Sequence, residues 1–146
     1  MLETEDMFLE FVNDHIWWFL ALAVIFNLLI MSILRDNVKG ANKVSALEMP
    51  ALQRKGKSVI IDVNSEEQYS TSHIPKSINF ALSDLNAENK SLLKHKDSTV
   101  VLVCQTGSQS TKAAKALVDL GFTKLHILNG GLVSWAKENM PLTSKS

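Results

Sequence analysis

The chain carries, at residues 100–111, the stretch Val100-Val101-Leu102-Val103-Cys104-Gln105-Thr106-Gly107-Ser108-Gln109-Ser110-Thr111. Its first half is an unbroken apolar run rich in β-branched side chains, which is typical of a strand buried on both faces of a parallel sheet. The run stops at the only cysteine in the protein, and six small or polar residues follow before Thr111. Helical spacing resumes around Lys112, so the stretch predicts a strand, a tight loop and a helix.

Cys104 stands at the end of this predicted strand, which is where open parallel sheets place their binding sites. A loop that opens a helix leaves backbone N–H groups free and adds a partial positive charge, so it suits an anion. The same surroundings favour the nucleophilic thiolate form of a cysteine. We therefore predict a reactive Cys104. The alternative is a buried and inert thiol, which is the commoner role of a free cysteine.

Composition restricts the classes of function that the chain can have. The 146 residues leave room for one domain and a further segment, and the hydrophobic share of 46% is enough for a globular core. Net charge is zero and no basic block is present, so we expect no nucleic-acid partner. One cysteine and four scattered histidines show no metal-ligand spacing, so we expect neither a metal nor a cofactor.

The N-terminal part contains a candidate membrane span. Residues 1–15 form an acidic segment without lysine or arginine, and residues 16–34 carry no charge at all. Nineteen residues at helical rise span roughly 28 Å, which is about the thickness of a bilayer's hydrocarbon core. A cleavable signal peptide is disfavoured because the basic start and the small-residue cleavage site are missing. A buried helix of a soluble protein is the remaining alternative, and it is rarely so long and so uniformly apolar.

The flanking charges predict the orientation of this span. Arg35, Lys39 and Lys43 lie in a predicted polar linker over residues 35–43, whereas nothing basic precedes the span. The positive-inside rule therefore places the C-terminal side in the cytoplasm and the N-terminus outside, in a single-pass protein of the inner (plasma) membrane. A free cysteine fits the same reducing compartment.

Residues 44–142 are predicted to form one domain, followed by a tail at residues 143–146. Ser45 and Glu48 have capping-box spacing and predict a helix over residues 46–55, with Pro50 in its second turn. Further strands are predicted over residues 58–63, 78–80 and 124–128, and helices over 66–70 and 111–120, with a last helix around Trp135. Strands that alternate with helices predict an α/β fold, a parallel sheet flanked by helices.

Three separated segments of this domain form a recognisable set. They are Ile60-Ile61-Asp62-Val63 with Glu67-Gln68-Tyr69 and residues 73–79, then Cys104-Gln105-Thr106-Gly107-Ser108-Gln109-Ser110, then residues 128–135. They resemble the motifs of the rhodanese-like domain family, in which the first segment is similar to "IDVR…EY…GHIPGAIN", the second to the active-site loop and the third to the closing "GG…W" segment. The order and the separations match as well, which makes the combined resemblance strong.

The resemblance implies a sulfurtransferase or persulfide carrier. Cys104 would attack a sulfane-sulfur donor, hold the sulfur as a persulfide and pass it to a thiophilic acceptor, either a small molecule or a protein. Backbone N–H groups of residues 105–110, which are Gln105, Thr106, Gly107, Ser108, Gln109 and Ser110, would stabilise the anionic persulfide. Asp62 and His73 are supporting residues of the predicted site. A structural hydrogen-bonding role for Asp62 and a loop-fixing role for His73 are the alternatives.

The chain departs from the family pattern at the loop. Members that use thiosulfate usually carry arginine or lysine there, whereas this loop has no charged side chain. Loss of a charge-assisted contact costs about 1.5–3 kcal/mol, so thiosulfate is expected to be a poor donor. Asn64 also replaces the usual arginine after "DV".

Two hypotheses about function therefore stay open. One is a membrane-anchored sulfurtransferase, and the other is a membrane-tethered interaction module with the same fold and little or no catalysis. A cysteine phosphatase is set aside because that chemistry needs an arginine six positions after the cysteine, where this chain has Ser110.

Overall fold

The computed structural model describes residues 2–35 and 38–145, which fall into two compact units divided between residues 36 and 37. The N-terminal unit consists of two helices, α1 (Leu2–Asp14) and α2 (Ile16–Arg35). Hydrogen bonds cross the junction at His15, whose N–H donates to Phe11 O and whose carbonyl accepts from Phe19 N–H. The predicted acidic segment is therefore helical.

Helix α2 contains the predicted span. Residues Ile16–Leu34 have a mean hydropathy of 2.4, and none of them is buried within the structure. A core helix of a soluble protein would bury its apolar side chains against other elements, and this helix does not. Among the described residues it is the one helix that is long and apolar enough to cross a membrane.

The C-terminal unit is built on a five-stranded sheet in the order β1-β5-β4-β2-β3, and every pair of neighbouring strands is parallel. The strands are β1 (Ala41–Val44), β2 (Ser58–Asp62), β3 (Ile78–Asn79), β4 (Thr99–Val103) and β5 (Leu125–Leu128). The helices are α3 (Met49–Arg54), α4 (Glu66–Thr71), α5 (Lys90–Leu93), α6 (Ser108–Asp119) and α7 (Gly131–Lys137), with a 3₁₀ turn at Leu82–Asp84. The predicted α/β fold is confirmed.

Strand β4 lies at the centre of the sheet and is buried on both faces, as its sequence predicts. Val100 and Leu102 belong to the core cluster that includes residues of α6, whereas Val101 and Val103 belong to the cluster that includes residues of α3 and α7. All four side chains are fully buried. A strand with two covered faces requires helices on both sides of the sheet, and the domain has that arrangement.

Several predicted boundaries are wrong. The linker over residues 35–43 ends earlier than predicted, because Ala41–Val44 pairs with Leu125–Leu128 as an edge strand. Within the predicted tail, residues 143–145 contact the domain, because Thr143 exchanges backbone hydrogen bonds with His73 and Lys145 N–H donates to Ser70 O.

The helix predicted over residues 46–55 spans only Met49–Arg54, so Pro50 lies in its first turn, where its missing N–H costs nothing. The predicted capping interaction is nevertheless present. Glu48 Oε2 accepts from the N–H of Ser45 at 3.0 Å and from its hydroxyl at 2.8 Å. These hydrogen bonds lower the pKa of the Glu48 carboxyl from its ordinary value.

Helix α6 begins at Ser108, three residues earlier than predicted. The loop after Cys104 is therefore short, since it comprises only Gln105, Thr106 and Gly107. Gly107 closes it in the left-handed conformation, with φ of 99°, which glycine adopts without steric cost. The predicted six-residue loop is thus half loop and half first helical turn.

Candidate active site

Cys104 follows β4 directly at the carboxyl edge of the sheet, and its side chain is 1% exposed. It belongs to the core cluster that also contains Ala113, Ala114 and Leu117 of α6. The strand brings the thiol to the edge, and the helix that follows covers it from one side. The sequence prediction of a cysteine between a buried strand and a helix start is therefore confirmed in its geometry.

The sulfur atom accepts a hydrogen bond from the backbone. Gly107 N–H donates to Cys104 Sγ over 2.9 Å, and the first hydrogen bond of α6 runs from Thr111 N–H to Gly107 O. Amides in the first turn of a helix have no acceptor within the helix, and they carry the positive end of its dipole. A sulfur anion at this position would be stabilised by donors that are already in place.

Helix α7 supports the other side of the loop. Leu132 N–H donates to Cys104 O at 2.9 Å, and Val133 N–H donates to Gln105 O at 3.2 Å. The first-turn amides of α7 thus bind the main chain at the cysteine, while Gly107 at the start of α6 binds its sulfur. The backbone of the site is held from two helices, and neither contact requires a particular side chain.

Gly131 allows this close approach. A Cβ atom at this position would overlap Cys104 O and would lie 2.6 Å from Gln105 O, and the residue has φ of 59°. Only glycine fits between α7 and the loop without displacing one of them. Gly131 is not among the predicted site residues, although its glycine pair is visible in the closing motif.

Asp62 lies at the carboxyl end of β2, next to the end of β4. It lies opposite Val103, the residue before the cysteine, and its Oδ1 accepts from Asn64 N–H at 2.9 Å. Oδ2 is buried and has no hydrogen-bond partner among the described residues. Burial raises the pKa of the Asp62 carboxyl, while the backbone hydrogen bond from Asn64 and the charge of nearby His73 act in the opposite direction.

His73 fixes a loop, as its alternative interpretation predicts. Its Nδ1 is 2.7 Å from Tyr69 O, and its ring stacks on that of Tyr69 with 3.9 Å between the centroids. Its backbone pairs with Thr143. No hydrogen bond connects it with Cys104 in the described part of the chain, so we assign it to the architecture around the site.

The side chains of the predicted binding segment differ in their accessibility. Ser110 is completely buried, whereas Thr106, Ser108 and Gln109 are exposed and Gln105 is partly exposed. Thr106 Oγ1 lies 3.5 Å from Ser108 Oγ. The exposed side chains of residues 105–110 therefore offer amides and hydroxyls and no charge. Within residues 2–35 and 38–145, no three histidine, cysteine or acidic side chains are grouped so that they could hold a metal ion.

Replacement of Gly131 by alanine should displace the loop that carries Cys104. We expect Gly131→Ala to lower the free energy of unfolding by roughly 1–3 kcal/mol, because both the Cβ contact and the positive φ are strained. Gly56→Ala is the matched control, since a Cβ there meets nothing within 4 Å. It should change stability by less than about 1 kcal/mol. Urea unfolding of residues 38–146, followed by Trp135 fluorescence, measures both, and equal effects would contradict the prediction.

The buried Asp62 carboxyl should make stability depend on pH. Because its pKa is raised in the folded state, that state keeps the proton while the unfolded chain loses it from roughly pH 4 upward. Its contribution to the free energy of unfolding is therefore full below that pH and is lost as pH rises through the raised pKa. Asp62→Asn should gain stability relative to wild type over this interval. Unfolding curves from pH 4 to 8 would refute this if the difference stayed constant.

Known proteins with similar sequences contain the same type of domain. The family model of the rhodanese-like domain matches residues 45–138. YibN of Escherichia coli K12 is 29% identical over 135 residues, covering 92% of this chain and 94% of YibN. The thiosulfate sulfurtransferase GlpE of Pseudoalteromonas translucida is 33% identical over 92 residues, covering 63% of this chain and 86% of GlpE.

Among solved structures, a rhodanese with anions from E. coli is 31% identical with a TM-score of 0.51, covering 60% of this chain and 98% of that one. The match to YibN extends beyond the domain. It covers 92% of this chain, so it includes at least part of the apolar segment at residues 16–34. The family model covers well over half of the chain and includes Cys104. This protein therefore belongs to the rhodanese-like domain family, and its relatives there support a sulfurtransferase-like role at the level of the family.

Proposed function

We propose that this protein is a membrane-anchored sulfurtransferase or persulfide carrier and that Cys104 is its sulfur acceptor. The observation that carries the proposal is the hydrogen bond from Gly107 N–H to Cys104 Sγ, 2.9 Å long, at the carboxyl edge of the sheet. An N–H group that donates to a sulfur atom stabilises the thiolate more than the neutral thiol. It therefore favours a sulfur that carries negative charge during the reaction.

The reaction consists of two exchanges at sulfur. In the first, the Cys104 thiolate attacks the outer sulfur of a donor R–S–SH, an Sγ–S bond forms, and the donor's S–S bond breaks to release the thiolate R–S⁻. In the second, an acceptor thiolate attacks the outer sulfur of the Cys104 persulfide, and the Cys104 thiolate leaves. Each step converts one thiolate and one persulfide into another such pair, so no oxidant, metal or cofactor is needed.

The backbone at the site suits this chemistry. Negative charge moves between Sγ and the outer sulfur, and the amide of Gly107 and the first turn of α6 point toward that region. Donors fixed before the reaction stabilise the charge without rearrangement. The contacts of α7 with Cys104 O and Gln105 O keep the loop in register during both exchanges.

The uncharged loop favours an organic persulfide over thiosulfate as the donor. Thiosulfate carries two negative charges, and residues 105–110 supply only neutral donors for it. Loss of one charge-assisted hydrogen bond costs about 1.5–3 kcal/mol, which corresponds to a rate lowered roughly 10- to 150-fold. A protein or small-molecule persulfide has less charge to neutralise and loses less.

A second function, a membrane-tethered interaction module with little catalysis, is favoured by a different observation. Cys104 is only 1% exposed, so its sulfur is poorly accessible to a sulfur donor. A loop with neutral exposed side chains also offers a surface for a protein partner. Sulfur loading of the thiol distinguishes this function from the first.

Incubation with donors tests the proposed reaction. Residues 38–146 and the Cys104→Ser variant are treated with glutathione persulfide or with thiosulfate, and intact mass is then measured. We expect wild type to gain one sulfur atom from the persulfide and at least tenfold less from thiosulfate at equal time, while Cys104→Ser gains none. Absence of sulfur from every donor would exclude the carrier function and leave the interaction module.

We further propose that α2 anchors the protein in the inner membrane, with the N-terminus outside and the rhodanese-like domain in the cytoplasm. Support comes from the uncharged helix Ile16–Leu34 and from Arg35, Lys39 and Lys43 after it. The lipid bilayer would then be a partner of the protein in addition to its sulfur donor and acceptor.

Protease access tests this orientation. With an epitope at the C-terminus, inverted membrane vesicles should lose the signal on treatment with proteinase K, whereas right-side-out vesicles should keep it until detergent is added. Replacement of all three basic residues by glutamate should reduce this asymmetry, because the charge bias that sets orientation is removed. Recovery of the protein in the soluble fraction would contradict the anchor.

A further inference from the structure

The hydroxyl of Ser110 is buried without a hydrogen-bond partner. The residue is 0% exposed, and its Oγ is one of three buried side-chain atoms in the described part of the chain that lack a partner. A polar group that is removed from water and left unpaired is disfavoured, and native structures retain such groups mainly where they serve a purpose.

Serine in a helix usually has an easy partner, the carbonyl four residues earlier. Other helical hydroxyls in this protein donate to that carbonyl, since Thr111 Oγ1 donates to Gly107 O, Ser70 Oγ to Glu66 O and Thr71 Oγ1 to Glu67 O. Ser110 does not form this bond, although it lies in the same first turn as Thr111. Its hydroxyl donor is therefore unused in this structure.

The buried face of α6 shows what Ser110 is near. Its buried residues are Ser110, Ala113, Ala114 and Leu117, which follow helical spacing and line one face. The last three share a core cluster with Val100, Leu102 and Cys104 of the neighbouring strand end. Ser110 is one turn closer to the start of α6 than Ala113 and Ala114, and a loop of three residues separates the start of α6 from Cys104.

The other two unpartnered atoms, Asp62 Oδ2 and Asn64 Nδ2, do not complete this site. Asp62 alternates with Ile61 and shares a strand face with Ile60, which belongs to the opposite core cluster. Ser110 Oγ therefore has no acceptor among the described residues, and its helix follows Cys104 after a loop of only three residues.

We propose that the Ser110 hydroxyl donates a hydrogen bond to the outer sulfur of the Cys104 persulfide. This donor is unused in the empty protein and finds its acceptor when the sulfur is loaded. The inference deepens the proposed function and rests on it. Gly107 N–H holds Sγ, and Ser110 O–H adds a second donor for the transferred atom. Hydrogen bonds to an anionic acceptor are stronger than neutral ones, so the hydroxyl stabilises the loaded state more than the empty one.

The test compares four forms of the full-length chain in detergent, namely wild type, Ser110→Ala, Ser110→Thr and Ser98→Ala. Ser98 is 2% exposed and precedes β4 at the opposite end of the strand, so it controls for loss of a buried hydroxyl. Each form is loaded with glutathione persulfide. Intact mass then gives the loaded fraction against donor concentration and the half-life of the Cys104 persulfide after the donor is removed, and a thermal scan reports folding.

We expect Ser110→Ala to shorten the persulfide half-life about tenfold without a lower thermal midpoint, since the empty protein has no bond to lose. Ser110→Thr should keep most of the half-life because it retains a donor, and Ser98→Ala should match wild type. Equal half-lives for Ser110→Ala and Ser98→Ala, with normal loading, would overturn this inference and leave the sulfur carrier intact. If wild type takes up no sulfur, the proposed function fails and the inference fails with it.

Discussion

The structure depends on the burial of β4 between two helical layers. Val100 and Leu102 require a cover on one face of the sheet, and Val101 and Val103 require one on the other. Neighbouring strands pair with its backbone on both sides, so its polar groups are satisfied along its length. At the carboxyl end, where pairing stops, Gly107 at the start of α6 directs its N–H at the sulfur of Cys104. Cys104 is the residue that the chain places there.

The same constraint explains why glycines occur around the cysteine. Two helix starts approach one strand end from opposite faces, and little space remains between them for side chains. Gly107 turns the chain into α6 with a positive φ, and Gly131 lets α7 contact the carbonyls of Cys104 and Gln105. The hydrogen bonds at the site come from the backbone. The geometry of this backbone cradle, formed by residues 104–107 and the starts of α6 and α7, is therefore independent of the identity of the exposed loop side chains.

The backbone that stabilises the sulfur and the side chains that select the substrate are therefore different parts of the loop. The backbone N–H groups can stabilise any sulfur anion on Cys104. The exposed side chains, in contrast, decide which sulfur-donor molecules are attracted to the site. Neutral residues at these positions leave the cradle unchanged and remove long-range attraction for a dianion. The two open functions, sulfur carrier and interaction module, thus share one architecture and differ in what approaches a surface of neutral polar groups.

The sequence alone identified the buried strand, the cysteine at its end, the uncharged apolar helix and the three family segments, because each is a local pattern with a physical reason. It missed β1, whose four residues show no alternation and gain stability only by pairing with β5, more than eighty positions later. It also placed the start of α6 too late, since Ser108, Gln109 and Ser110 have little helix preference without the turn at Gly107. The burial of Ser110, the unpartnered oxygen of Asp62 and the fit of Gly131 against Cys104 were decided by tertiary structure. Each of these depends on segments that are far apart in the chain and meet only when the sheet is covered on both faces.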